Sequence, residues 1–203
     1  MLNFETKIRR LINIAGFDLH RLRPSLNPAF QLLKGLDHFK VDLVLDVGAN
    51  IGQFASDLRS VGYQGHIVSF EPLTDAHQEL KAKAAKDRSW IIHQRCAIGD
   101  FDGEIDINIA GNSLSSSVLP MLETHAAAAS GSSYIGTEKA PIYQLDSVAA
   151  AYVRKAHRYF VKIDTQGFEW QVLDGGSKTL EWAQGVMCEM SLVSLYEGQH
   201  LWM

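Results

Sequence analysis

The chain has 203 residues, 46% hydrophobic and 21% charged. That is enough for one sizeable core and short for two domains of roughly 100–200 residues each. Nineteen Lys and Arg against 23 Asp and Glu give a net charge of −4, which argues against a protein that binds nucleic acid by neutralising phosphates. No apolar run approaches the roughly 20 residues that cross a bilayer.

Residues 1–40 are predicted as an N-terminal helical extension. Within them, residues 1–24 carry +3 and leave −7 for the rest. Leu2, Ile8, Leu11, Ile12 and Ala15 recur at helical spacing, so a short amphipathic helix ends near Gly16. Such a helix could touch anionic lipid weakly, but it more often packs on the domain it precedes. The N-terminus lacks the apolar core and small-residue cleavage site of a signal peptide, which makes the cytoplasm the default compartment. Cys96 and Cys188 are far apart in apolar runs, without zinc spacing, and read as buried reduced thiols.

The domain proper is predicted over residues 41–203. VDLVLDVGA (41–49) reads as a buried strand, followed by a helix from near Gly52 to Gly62. GHIVSFEP (65–72) is a second strand, Thr74 to about Asp87 a helix, and SWIIHQRCAI (89–98) a third strand. Apolar strands alternating with helices indicate βαβ units and a doubly wound, mostly parallel α/β sheet with helices on both faces. Asp100–Ala110 alternates Ile105, Ile107 and Ile109 after a DG turn, as a small hairpin or exposed strand would. Residues 111–138 hold seven serines and no Lys or Arg, and read as a solvated loop or a lid over a substrate. A helix near Ser147–Val153, a strand RYFVKIDT (158–165), a helix Phe168–Leu180 and a strand GVMCEMS (185–191) follow.

The chemistry concentrates in LDVGANIGQF (45–54). A strand ends at Asp46, and Gly48 and Gly52 occupy the turn into the next helix, where backbone can approach a ligand and helix N–H groups are unpaired. Glu71, at the end of the second strand and about 20 positions on, stands where a ribose's hydroxyls are gripped. The dinucleotide fingerprint has a central glycine that this run lacks, and Asp46 would oppose phosphates in the mouth of the site. S-adenosylmethionine, with an adenosine, an ammonium, a sulfonium and no phosphate, suits both acids.

At this point the sequence resembles a class I S-adenosylmethionine-dependent methyltransferase. The segments VLDVGANIGQFA, SFEP, CAIGDFDGE, LDSV, VKIDTQGFEWQVLDGG and CEMSLVSLYEGQ, in that order, resemble the FkbM family over about Val41 to His200. The resemblance implies O-methylation of a sugar, glycan or secondary-metabolite hydroxyl. It assigns Asp46, Gly48, Asn50 and Gly52 to the loop around the methionine end of the cofactor. It also assigns Glu71 with Pro72 to the ribose, Cys96-Ala97-Ile98 to the adenine, and Asp164 to the position facing the transferred methyl group. Class I enzymes continue past the fifth strand with a helix and two strands, so a chain stopping at Met203 is expected to lack that edge.

An alcohol acceptor needs a base within hydrogen-bond reach. Asp164 is the first candidate and Glu189 the second. Lys162 shares Asp164's strand face and is either a third base with a lowered pKa or that aspartate's ion-pair partner. Glu169 reads as a helix-capping carboxylate. His125 and His200 read as solvated, and Trp170 and Trp182 as core, although with Trp202 they could stack on a sugar. No ligand motif demands a metal, though Asp164, Glu169 and Glu189 could converge on one. Two other readings stay open: a nicotinamide-dependent oxidoreductase on the same kind of sheet, and a shortened, non-catalytic nucleotide-binding remnant.

Overall fold

The apolar runs at 43–47, 66–70 and 159–163 pair in parallel at the centre of one sheet, which is how such runs bury both faces. A computed structural model of the chain describes Ile14 and residues 27–112, 115–123, 131–153 and 157–201. Its elements are α1 (Pro28–His38), β1 (Leu43–Val47), α2 (Gln53–Ser60), β2 (His66–Phe70), α3 (Thr74–Ala84), β3 (Trp90–Ile92), β4 (Ala97–Gly99) and β5 (Gly103–Ala110). They continue with β6 (Tyr134–Gln144), α4 (Leu145–Ala149), β7 (Tyr159–Ile163), α5 (Glu169–Asp174), α6 (Ser177–Glu181) and β8 (Gly185–Cys188). The main sheet is parallel, in the order β3-β2-β1-β7-β8. The chain therefore winds outward from β1 on one side and returns to its other side at β7, the switch point of a doubly wound sheet.

Alternate residues of the central strands feed two cores. Leu43, Leu45, Val47, Val68, Phe70, Val161 and Ile163 pack with α4 and Val172 of α5 on one face. Val44 and Ile67 pack with Leu36 of α1, Ala55 and Leu58 of α2 and Leu80 of α3 on the other. Asn27 caps α1, its side chain accepting the Ala29 and Phe30 N–H groups at 2.9 and 3.3 Å.

Four expectations need correcting. The run 89–98 is not one strand: β3 belongs to the main sheet, whereas β4 joins β5 and β6 in a second, three-stranded sheet. Part of the predicted loop 111–138 is strand, because β6 begins at Tyr134 and pairs antiparallel with all of β5. The predicted helix 168–180 is two short helices, since the chain breaks at Gly175, where a Cβ would overlap the Gly99 carbonyl of β4. Trp170 and Trp182 are exposed, at 55% and 71%, rather than core; Trp170 stacks on His200 with ring centroids 4.6 Å apart. Apart from Ile14, which is helical and exposed, the predicted helix in residues 1–24 lies outside the described residues, as do His125 and Trp202. Among the described residues, no helix is long and apolar enough to cross a membrane.

Candidate functional site

In the register of the main sheet, Asp46 on β1 lies beside Ser69 on β2 and Lys162 on β7. Laterally paired residues of parallel strands share a face, so three polar side chains form a row through an otherwise apolar layer. Trp90 donates to Ser69 at 3.0 Å, and Ser69 Oγ donates to Asp46 Oδ2 at 3.0 Å. Lys162 Nζ completes the row 3.2 Å from Asp46 Oδ1. Asp46 is wholly buried, and its carboxylate points along this row rather than into the mouth of the site as the sequence suggested.

Lys162 emerges from the row toward the carboxyl ends of the strands. It donates to the Gly48 carbonyl at 2.8 Å and stands 3.7 Å from Asp164 Oδ2. Burial works against its charge, but Asp46 and Asp164 outweigh burial and hold its pKa above the ordinary lysine value. The expectation of a basic lysine with a lowered pKa is corrected; Lys162 is a fixed ammonium and the ion-pair partner of both aspartates.

A cavity of about 400 Å³ opens at the strand ends, between the main sheet and the second one. That is within the roughly 300–1,000 Å³ usual for small-molecule sites. Its walls include Gly48, Asn50, Glu71, Pro72, Ala97, Lys162, Asp164 and Glu189, the great majority of the residues singled out in the sequence. Two are not in the lining. Asp46 lies behind Lys162, and Gly52 serves packing, since a side chain there would run into Leu80 and Trp90. Gly48 is needed at the wall itself: its φ is +73°, and a Cβ would overlap the Asp164 carbonyl oxygen.

Glu71 follows the last residue of β2 and is 5% exposed. Its Oε2 accepts the Asn50 N–H at 2.7 Å and its Oε1 the Leu73 N–H at 2.9 Å. Burial raises its pKa to about 7, against the lowering effect of those two N–H groups. Each oxygen has a second lone pair for a ligand hydroxyl.

Asp164 and Glu189 follow the ends of β7 and β8, whose parallel pairing brings them together. Asp164 is half-buried; burial would raise its pKa, but Lys162 first and then hydrogen bonds hold it below the usual carboxylate range. Glu189 remains exposed, yet partial burial against the cavity and then the neighbouring Asp164 push it the other way, to about 7. Glu169 turns elsewhere: its carboxylate accepts the Thr165 N–H at 2.8 Å and the Gly167 N–H at 3.0 Å, closing the turn before α5. Among the described residues, no three His, Cys, Asp or Glu side chains are grouped to hold a metal ion.

Ser115, Ser116, Ser117 and Val118, from the stretch read in the sequence as a solvated loop or a lid, wall the cavity after β5. One residue that sequence reasoning missed completes the site. Gln166, at φ +54°, donates through its amide nitrogen to Asp164 at 2.9 Å and to Glu189 at 2.8 Å. A glutamine just before a glycine at a strand's carboxyl end was the available signal.

The sheet and its cavity at the switch point define a Rossmann-like α/β protein with a small-molecule site at the strand ends. The chain matches the Methyltransferase FkbM domain over residues 46–202, most of its length, and belongs to that family. It is also similar to a solved structure from Staphylococcus aureus that carries a provisional assignment as a caffeoyl-CoA O-methyltransferase. That likeness has 15% identity and a TM-score of 0.29, covering 45% of this chain and 43% of the other, so the chain spans less than half of that relative. A comparison with curated proteins gives no match.

Proposed function

We infer that the protein is an S-adenosylmethionine-dependent O-methyltransferase acting on a hydroxyl of a sugar, glycan or small metabolite. The observation that carries this is the charge of the cavity. Among the described residues, three carboxylates, Glu71, Asp164 and Glu189, face it with one cation, Lys162, and that cation is committed to Asp46 and Asp164. Such a wall repels a pyrophosphate and suits a ligand with positive charge and free hydroxyls. The nicotinamide reading loses support for the same reason, and nucleic acid is disfavoured as an acceptor.

The donor set fits the cofactor. Glu71 would take the ribose hydroxyls, the Gly48–Asn50 backbone the methionine end, and Cys96, Ala97 and Ile98 the adenine. The bound cofactor supplies an electrophilic methyl group. On the acceptor side Glu189, titrating near neutrality, is the group matched to hold a hydroxyl proton. Asp164, kept ionised by Lys162, is a poorer base and serves as the fixed charge beside it. The two free thiols agree with a cytoplasmic protein.

Calorimetric titration tests the reading: saturable S-adenosylmethionine binding is expected, and binding of NAD alone would overturn it. Affinity should rise with pH through about 7, where Glu71 ionises and becomes the stronger acceptor. Glu71→Gln should weaken binding roughly tenfold or more and flatten that rise, since a charge-assisted hydrogen bond contributes about 1.5–3 kcal/mol. A rise that persists unchanged in the variant removes Glu71 from the site.

A further inference from the structure

Gln166 has an unusual set of partners for a residue with no charge. Its amide nitrogen sits between two carboxylates, 2.9 Å from Asp164 Oδ1 and 2.8 Å from Glu189 Oε2. Its amide oxygen accepts from the Tyr196 hydroxyl at 3.1 Å. This pattern fixes which way round the amide stands. An amide has two N–H donors and one carbonyl acceptor; both carboxylates need donors, and the phenol supplies the hydrogen for the oxygen. A flipped amide would set its oxygen against two negative groups.

The backbone holds Gln166 as firmly as its side chain. Its φ of +54° is uncommon for a residue with a side chain, and its carbonyl accepts from Ser117 Oγ at 2.6 Å. Tyr196 is 1% exposed, its ring fills the space that a side chain at Gly167 would need, and its hydroxyl also lies 3.3 Å from the Ser115 carbonyl. One phenol thus ties the segment after β8, the serine loop that walls the cavity, and the glutamine between the two acids.

We propose that Gln166, oriented by Tyr196, is a positioning residue that clamps the Asp164 and Glu189 carboxylates side by side at the acceptor end of the cavity. The assignment rests on Glu189 acting as the acceptor-side base. Two like charges this close would separate or take up a proton; two N–H donors shared between them favour the charged form of each. The clamp sets both where Glu189 stands and how readily it gives up its proton. The other groups acting on Glu189 are Lys162 from β7, Glu169 from α5, the adjoining Cys188 and the phenol of Tyr196. None of them donates a hydrogen bond to both acids.

The test reads the Glu189 carboxyl directly and needs no acceptor. Full-length protein labelled with carbon-13 at the glutamate carboxyls is titrated by NMR, and the Glu189 resonance is assigned by its loss in Glu189→Gln. Gln166→Met keeps length and flexibility but removes both donors, so the Glu189 midpoint should rise by about one unit. Tyr196→Phe removes only the hydroxyl that orients the amide and should give part of that rise. S-adenosylmethionine affinity, read by calorimetry, should stay within about twofold in both, because Glu71 and the Gly48–Asn50 backbone make no hydrogen bond to Gln166 or Tyr196 that either substitution removes. Once an acceptor is in hand, turnover of Gln166→Met near pH 7 should fall about fivefold and recover at higher pH, as a one-unit rise in the base's midpoint requires.

A merely structural role would lower the melting temperature and leave the midpoint in place. An unmoved midpoint in the folded variants overturns the clamp, and if Gln166→Met does not fold, Tyr196→Phe decides alone. A moved midpoint with Glu189→Gln turning over at the wild-type rate overturns instead the base assignment, and with it the catalytic use of the clamp.

Discussion

Glu189→Gln should lower turnover by about 10²–10⁴-fold, the usual contribution of a positioned general base, or roughly 3–5 kcal/mol of transition-state stabilisation. The substitution keeps the side chain's shape and one acceptor oxygen, and removes only the basicity. Cofactor affinity should change far less than turnover, since Glu71 and the backbone of the Gly48–Asn50 turn keep their own partners in this variant. Asp164→Asn gives the contrast that makes the assignment testable. It takes away the negative neighbour that helps push Glu189 up to about 7, so Glu189 should ionise at lower pH. With S-adenosylmethionine saturating, so that the ionisation of Glu71 does not enter, the acid limb of the pH–rate profile then moves down in Asp164→Asn and disappears in Glu189→Gln. A profile that keeps its acid limb in Glu189→Gln and loses it in Asp164→Asn would reverse the two roles.

That division of labour between two acids was only half legible in the sequence. Both lie just past strands whose apolar runs announce themselves, YFVKI and GVMC, and parallel pairing had to bring their ends together. Their inequality comes from burial and Asp164, which raise Glu189, and from Lys162, which holds Asp164 down; the reach of Lys162 to Asp164 on one side and Asp46 on the other is a matter of three-dimensional register. Gln166 was not legible because a glutamine carries no charge and does not titrate, and its contacts with Asp164 and Glu189 exist only through the folded turn.

The fold was legible where burial is two-sided and hidden where it is one-sided. β1, β2 and β7 are almost wholly buried and read as mainly apolar runs, broken only by Asp46, His66, Ser69 and Lys162. β6 buries only Ala140 and Ile142 along its eleven residues, and Pro141 in its interior reads as a strand breaker. Proline is tolerated there because β4 meets β6 only from Ile142 onward, so Pro141 is flanked by β5 alone and the strand is locally an edge. The 89–98 run misled for the opposite reason. Its two apolar ends belong to different sheets, and the polar His93–Arg95 between them is where the chain crosses over. That crossing carries Ala97 to the cavity wall and gives the site its second side.

The largest stability effect should come from Lys162→Met. Asp46 is fully buried, and Lys162, whose side chain is 6% exposed, is the only cation paired with it among the described residues. Removing one partner of a buried pair leaves the other's charge uncompensated, which typically costs about 3–5 kcal/mol. For a domain whose whole stability is about 5–15 kcal/mol, that is a large share. It should lower the melting temperature by roughly 10 °C, given about 2–4 °C per kcal/mol at this size. The apolar stem of methionine fills most of the vacated volume, so little of the loss should come from a cavity. Ser69 can still donate to Asp46, but a neutral hydroxyl does not balance the charge. Adding Asp46→Asn to Lys162→Met removes the stranded charge and should recover more than half of the lost stability, a coupling that a double-mutant cycle measures. Were Lys162 a base used in turnover rather than the counter-charge of the row, the single variant would melt near the wild-type temperature and the second substitution would restore nothing. Thermal unfolding of the three variants beside the wild type distinguishes the two, and additivity across the cycle would remove the ion pair from the account of what holds the centre of the sheet together.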